Sequence, residues 1–517
     1  MYDIRGKQDF IYKSSKIKEI VGASYIIREC FKDHLYPAAE DYTGGKGIFS
    51  YKGDKEQSDP DREFSPEGFR RHIEAGYIGE VIYDGGGNFF VLYKDVETYR
   101  EVNKRFYRKL LEGTYSLRVL TTYIDDIDFE NYREDQKKLY AKHREREREE
   151  SLIHPVNTLP VVQTDYRTSM PLAFRQNIGG NQEKVSYESK QKYRKYKRVT
   201  EDKSGYDREV EGIRLLEEMI TKKGEESLLA IIYIDGNSMR AKVDQCVYGL
   251  KKLDGQPDTS YGACVKELRR FSAEIQKHYI DERIKDVNSI LGEKGRRFIV
   301  YAGDEITFIC NARSAYKVAK KYLSGLAESA KDGEPRTSCA GIAIFHSHAP
   351  FAEAYRIAEG CCESGKQFMR QNGIENASLI DFHYCQGAFG MSLEAIRANE
   401  ENEQLSTPWF ADDASCEGGI TCETVERMKK ELNKVSRSNI KTLFRSAKKS
   451  EADFLAERER ICAHQIDDKT DGKEDKESDF TLEGELDGEM QRKLIYDMVK
   501  VYDLWFAKDE QDRRMKG

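Results

Sequence analysis

The chain has 517 residues, a formal net charge of -7 and 34% charged residues, a length that at roughly 150 residues per domain predicts about three domains and a substantial core. No apolar run approaches the roughly 18 residues of a membrane span, and the opening MYDIRGKQDF has no signal-peptide pattern, so a soluble, cytoplasmic protein is expected. The 11 cysteines are scattered and form no C-x-x-C, which predicts reduced, mostly buried thiols, and the acidic balance argues against a general nucleic-acid coat.

In chain order, FIYKSSKIKEIVGASYIIRECF (10–31) predicts a strand running into a helix, and GEVIYDGGGNFFVLY (79–93) a hairpin turning at Gly85, Gly86, Gly87 and Asn88. Consecutive glycines let backbone N–H groups approach a phosphate or base closely; a plain tight hairpin is the alternative. A helix at about 95–112 and the strand YSLRVLTTYI (115–124) follow, and KHREREREE (142–150) reads as an exposed helix. The basic segment KVSYESKQKYRKYKR (184–198) interleaves Tyr187, Tyr193 and Tyr196, a composition that suits phosphate contacts with base stacking and equally a solvated, salt-bridged surface.

Leu228 to Ile234 is a nearly continuous apolar run that stops at Asp235, as a central strand covered on both faces does. Cys264, Leu268, Phe271, Ile275 and Tyr279 recur at three- and four-residue steps and predict a helix with one buried stripe. RRFIVYAGDEITFICN (296–311) then predicts a hairpin whose tip, Ala302, Gly303, Asp304 and Glu305, carries two adjacent carboxylates. A helix (Ser314 to Ala330), the strand TSCAGIAIF (337–345), a helix (Phe351 to Gln371) and the strand ASLIDF (377–382) follow. His346 and His348 stand alone at a strand end, so no zinc site is expected there. Beyond about 395 the pattern is helical, ending with Leu494, Ile495, Met498, Val501, Tyr502 and Trp505 on one face, whereas DDKTDGKEDKESD (467–479) is too acidic to pack.

The order strand, helix, hairpin, helix, strand, helix, strand fits a ferredoxin-like palm with an extra edge strand, and the N-terminal pattern is a weaker echo of it. The expected fold class is α+β. A degenerate palm is placed at 1–130, an inter-palm helical and basic linker at 131–215, a catalytic palm at 216–392 and a helical C-terminal domain at 393–517, with an acidic disordered loop at about 467–490. In such a palm the end of the first strand lies beside the hairpin turn, which brings Asp235 to Asp304 and Glu305. Three converging carboxylates repel one another unless a cation lies between them, and hard oxygen ligands favour magnesium or manganese. A pair of such ions about 3.5–4 Å apart holds the attacking and leaving oxygens of one phosphorus.

At these residues the sequence resembles the large palm-polymerase subunit of type III CRISPR effector complexes, the subunit that makes cyclic oligoadenylates. The resemblance lies in GKQDFIYKSSKIKEIVGAS (6–24), GGGN (85–88), YIDGNSM (233–239), YAGDE (301–305), CAGIAIFHSHAPFAEAYRIAE (339–359) and ESGKQF (363–368). It implies two palms with nucleotides between them, Asp235 and Asp304 as metal ligands and Glu305 at the second acidic position of the family's GGDD turn. It also implies Lys366 on the triphosphate and the Gly85 to Asn88 turn on the second nucleotide. Gly303 belongs to the same turn, and Asn237, following Asp235-Gly236, touches a base or ribose or is an ordinary turn residue. The first glycine of the family turn is Ala302 here, and the ending GDE is similar to that of GGDEF diguanylate cyclases, which leaves nucleotide preference open. No histidine is followed by aspartate, so the family's His-Asp nuclease motif is missing, as are its zinc-ribbon cysteines.

The expected function is therefore metal-dependent nucleotidyl transfer from ATP to cyclic or linear oligoadenylates in antiviral defence. Another nucleotide or a metabolite as second substrate is a variant of it. The alternative is a catalytically inactive double-palm scaffold binding RNA and CRISPR-like protein subunits. A homo-oligomer is compatible with either, and no membrane partner is expected.

Overall fold

The computed structural model describes residues 1–14, 16–52, 64–85, 87–149, 161–178, 181–201, 219, 227–292, 295–330, 335–387, 390–400, 405–411, 419–470 and 486–507. Gly86 and most of the acidic 467–490 segment lie outside them. The architecture is mixed α/β. Two compact units are present: Met1–Gly212 with Ser238–Asp281 and Ile299–Glu305, and Ile213–Asn237 with Glu282–Phe298 and Ile306–Gly517. No helix among the described residues is long and apolar enough to cross a membrane.

In the first unit, β1 (Tyr2–Arg5), β2 (Ile48–Phe49), β3 (Gly79–Gly85), β4 (Asn88–Tyr93) and β5 (Arg118–Thr121) form a sheet in the order β2-β3-β4-β1-β5. The first strand is thus Tyr2–Arg5, whereas the expected strand at Phe10 is the helix Lys7–Tyr12. Gly6, at φ 59°, ends β1 in a conformation that only glycine adopts at little cost. Tyr2 packs edge-on against Phe31, Phe89 and Phe106, and Phe31 stacks on Phe89 with ring centroids 4.6 Å apart. β6 (Leu172–Ile178) and β7 (Asn181–Ser186) form a separate two-stranded sheet.

The basic, tyrosine-bearing segment turns inward. It enters the helix Tyr187–Glu201, which packs on the helix Ile17–Arg28 so closely that a Cβ at Gly22 would overlap the Lys192 carbonyl. Tyr193 and Tyr196 are buried, and the fully buried Lys192 ammonium donates to Glu188 at 2.6 Å and to the Phe10 carbonyl at 2.5 Å. The 142–149 stretch is exposed as expected apart from His143, which bonds Thr122 at 2.9 Å.

In the second unit, β8 (Leu228–Gly236), β9 (Arg296–Ala302), β10 (Glu305–Asn311), β11 (Ser338–His346), β12 (Leu379–Tyr384) and β13 (Trp409–Phe410) are ordered β13-β12-β11-β8-β10-β9. Leu229 to Ile234 are buried, as two covered faces demand. The helix Tyr261–Ile275, whose stripe suggested a cover for this sheet, instead joins the first unit, where Cys264, Val265 and Leu268 share a core with Ile82 and Leu92. Arg269 is fully buried there and donates to the carbonyls of Val81 (2.7 Å) and Ile82 (3.1 Å). In the second unit the helix Glu282–Leu291 packs on the helix Ala315–Glu328, with Arg283 and Asp286 against Gly325.

The helix Phe351–Gln371 lies on β11 and β8, and Gly341 makes that approach possible because a Cβ there would overlap the Ala358 carbonyl oxygen. Gly341→Ala is accordingly expected to destabilise the protein by about 3 kcal/mol, the upper end of ordinary overpacking costs. Urea unfolding checks this, and a change under about 1 kcal/mol would show that the helix shifts without cost. The C-terminal helix Gly488–Lys500 and the turns after it are packed in the same unit: Trp505 donates to the Ala312 carbonyl at 2.8 Å and meets Phe382 edge-on.

Candidate functional site

The acidic tip is a short turn in which Gly303, at φ 66°, and Asp304 connect β9 to β10. Residues 299–305 belong to the first unit, and its side chains hold them. The Tyr301 hydroxyl lies 3.0 Å from that of Tyr25, and the Arg28 guanidinium covers the rings of Tyr25 and Tyr301 at 4.0 and 4.8 Å. Lys7, the first residue after Gly6, feels the carboxylates of Asp3, Glu305 and Asp304; burial pulls its pKa below the ordinary lysine value, and these charges only partly offset the burial.

The glycine turn lies against the same lysine. Gly85 pairs with Asn88 across β3 and β4, the Gly87 carbonyl accepts from Ile4 N at 3.2 Å, and Gly87 has φ 82°. A Cβ at Gly87 would collide with the Lys7 ammonium, and one at Gly85 would collide with the Tyr83 hydroxyl. Burial, then the neighbouring Tyr51, Asp84 and Asp304 among others, pushes the Tyr83 phenol well above its usual value, so it remains a protonated hydrogen-bond donor. Asn88 Oδ1 is buried and accepts no hydrogen bond, a cost that a donor from a bound molecule would relieve.

In the second unit, Asp235 stands one residue before the end of β8. Antiparallel pairing runs to Ile306↔Ile234, so Asp235 and Glu305 are the next residues along their two strands. Lys366, from the helix Phe351–Gln371, donates to the Asp235 carboxylate and, at 2.9 Å, to the Gly236 carbonyl. Burial opposes the lysine charge, but Asp235 more than compensates, so the Lys366 pKa lies above the ordinary lysine value. Cys339, opposite Asp235 on β11, has its thiol pushed by burial up to about 12, which excludes it as a nucleophile at neutral pH.

Asn237 is 2% exposed and spends its amide on Thr337 Oγ1 (3.2 Å) and the Ala377 carbonyl (2.8 Å), so it ties the end of β8 to the neighbouring strands. His346 and His348 are exposed, with ring centroids 5.3 Å apart.

The sequence-derived residues thus fall into two described groups. Gly85, Gly87, Asn88, Gly303, Asp304 and Glu305 belong to the first unit; Asp235, Asn237 and Lys366 belong to the second. Among the described residues, no group of three or more His, Cys, Asp and Glu side chains is arranged to hold a metal ion. The donor chemistry of these residues suits magnesium or manganese because the oxygens are hard; the Lys366 ammonium at Asp235 is a charge that a metal ion there would have to displace. Sequence reasoning missed Lys7 and Tyr83; the one local signal was a lysine directly after the glycine that ends β1.

No family model matches the chain, and no curated protein matches it. Solved structures similar to it include a Csm1–Csm4 cassette in complex with cA4, 12% identical over 73% of this chain and 53% of that chain, with a TM-score of 0.41. A Csm1–Csm4 cassette in complex with pppApA is 12% identical over 73% and 53%, with a TM-score of 0.43. Csm1 in T. onnurineus is 12% identical over 73% and 52%, with a TM-score of 0.42. The chain spans about half the length of these structures.

Proposed function

We propose that the chain is a metal-dependent nucleotidyltransferase that joins ATP into linear or cyclic oligoadenylates. In this reading both sheets are ferredoxin-like palms, supported by the matching strand orders β3-β4-β1-β5 and β9-β10-β8-β11. One observation carries it: the β8–β10 register, which makes Asp235 and Glu305 the next residues along paired strands, with Lys366 on Asp235. Asp235, Asp304 and Glu305 would hold magnesium or manganese, which when bound supplies charge neutralisation at the α-phosphate and lowers the pKa of the attacking hydroxyl. Lys366, released from Asp235, neutralises triphosphate oxygens as a point charge. The glycine turn lets a second nucleotide approach the backbone, and Asn88 Oδ1 accepts from its ribose or base. Much of the remaining acceleration comes from holding the two nucleotides in register.

Incubation with each nucleoside triphosphate and magnesium or manganese, with and without RNA, followed by mass spectrometry, tests the reading. Adenylate products with pyrophosphate release are expected; intact ATP under every condition, with ATP still bound, would instead favour the scaffold. The scaffold reading loses its best RNA-binding evidence, because Lys192, Tyr193 and Tyr196 are core residues. RNA, CRISPR-like protein subunits and a second copy of the chain belong to the proposal as activating partners, and antiviral signalling as its context.

The Lys366–Asp235 pair gives a separate expectation. Lys366→Gln frees the carboxylate while removing a phosphate contact, so manganese binding without nucleotide tightens by about threefold and ATP affinity falls by about tenfold, the scale of one charge-assisted contact. Parallel calorimetric titrations with manganese and ATP read both, and opposite signs are the signature. Weakening of both ligands would mean that Lys366 merely supports the fold.

A further inference from the structure

We propose that Lys7 is a phosphate-binding residue, holding the triphosphate of a nucleotide seated against Gly87 and Asn88. The inference rests on the nucleotidyltransferase reading and adds a residue from the first strand's end to it.

Three observations converge on Lys7. Its ammonium occupies the space that a side chain at residue 87 would fill, so the glycine is what allows a lysine to lie across the turn. The chain enters Lys7 directly from Gly6 at φ 59°, which turns the backbone out of β1. Asp304 and Glu305 are both within electrostatic reach of Lys7. A phosphate that shares a cation with those carboxylates is therefore brought within the same reach, where partial burial strengthens the attraction.

The turn also divides the work chemically. Asn88 Oδ1 is a buried acceptor without a donor, suited to a ribose hydroxyl or an adenine amino group and unsuited to phosphate, which offers only acceptors at neutral pH. The ammonium of Lys7 is the complementary group, three donors without an acceptor. In the nucleotide-free chain Lys7 feels the carboxylates of Asp3, Glu305 and Asp304; on loading, it turns to phosphate oxygens.

Calorimetric titration of the full chain with ATP and with adenosine, in magnesium, separates this role from a merely structural pin. Lys7→Gln is expected to weaken ATP about tenfold and leave adenosine unchanged, and Lys7→Arg to keep ATP within about threefold. Equal ATP affinity in wild type and Lys7→Gln would overturn the assignment, as would an equal loss for ATP and adenosine, which identifies a pin. Failure of the wild type to bind ATP at all would overturn the underlying reading, an outcome distinct from both.

Discussion

Asp304→Ala is expected to reduce adenylate synthesis by about 1,000-fold, with pyrophosphate release falling in step. The substitution removes one of two carboxylates at a turn whose charge Lys7 feels. On the proposed reading, what remains is a tip whose charge would no longer balance a divalent cation beside a triphosphate. Loss of one electrostatic stabiliser at a reacting centre costs about 100- to 1,000-fold, and loss of a ligand affects both the nucleophile and the leaving group, which places the effect at the upper end. Asp304 is only partly buried on a turn made by Gly303, so stability should change by less than about 0.5 kcal/mol, as for most surface substitutions. Initial rates of pyrophosphate release, with a thermal melt as control, read both. Release that survives the substitution would exclude this site.

The largest expected effect on stability lies elsewhere. Arg397→Met should destabilise the protein by about 3–5 kcal/mol, because it leaves a buried carboxylate uncompensated. Asp381, on β12, is 1% exposed and receives both guanidinium nitrogens of Arg397, at 2.9 and 2.8 Å, while the same group donates to the Phe382 carbonyl at 3.1 Å. Burial by itself would raise the Asp381 pKa; the charge and hydrogen bonds of Arg397 outweigh it and hold the carboxyl below the usual carboxylate range. A group depressed in this way stabilises the fold above its unfolded value, about 3.9, and that contribution is lost as pH falls through the lower, folded value. The gap between wild type and Arg397→Met in urea unfolding should therefore be widest near neutral pH and narrow below about pH 4. A gap that stays the same across this range would show that lost packing, not the charge pair, is responsible.

Much of the second sheet was legible because its signals are local. The run ending at Asp235 is long, β-branched and apolar, the 296–311 hairpin has a glycine at the position that takes positive φ, and the helix Phe351–Gln371 repeats its apolar residues without a break. What was misread depends on partners distant in the chain. Phe10, Ile11 and Tyr12 look like strand formers, yet they continue a helix whose Phe10 carbonyl receives the buried Lys192 ammonium. The periodicity of Tyr261–Ile275 specifies one buried face and says nothing about which sheet covers it; Arg269 finds the carbonyls of β3. Composition assigned the 184–198 segment to the surface, but the spacing of Glu188 and Lys192 lets one helical turn neutralise its own buried lysine. The approach of Lys7 to Asp304 and Glu305 spans nearly three hundred residues and has no local pattern to announce it.

Manganese affinity, read from the resonance of the free ion in wild type, Asp235→Asn, Asp304→Asn and the double variant, tests most directly whether β8 and the hairpin tip serve one cation. Sharing predicts that either single change weakens binding by about tenfold or more and that the second adds little, a coupling of about 1 kcal/mol or above. Losses that simply multiply, or single variants that bind manganese as the wild type does, would contradict it.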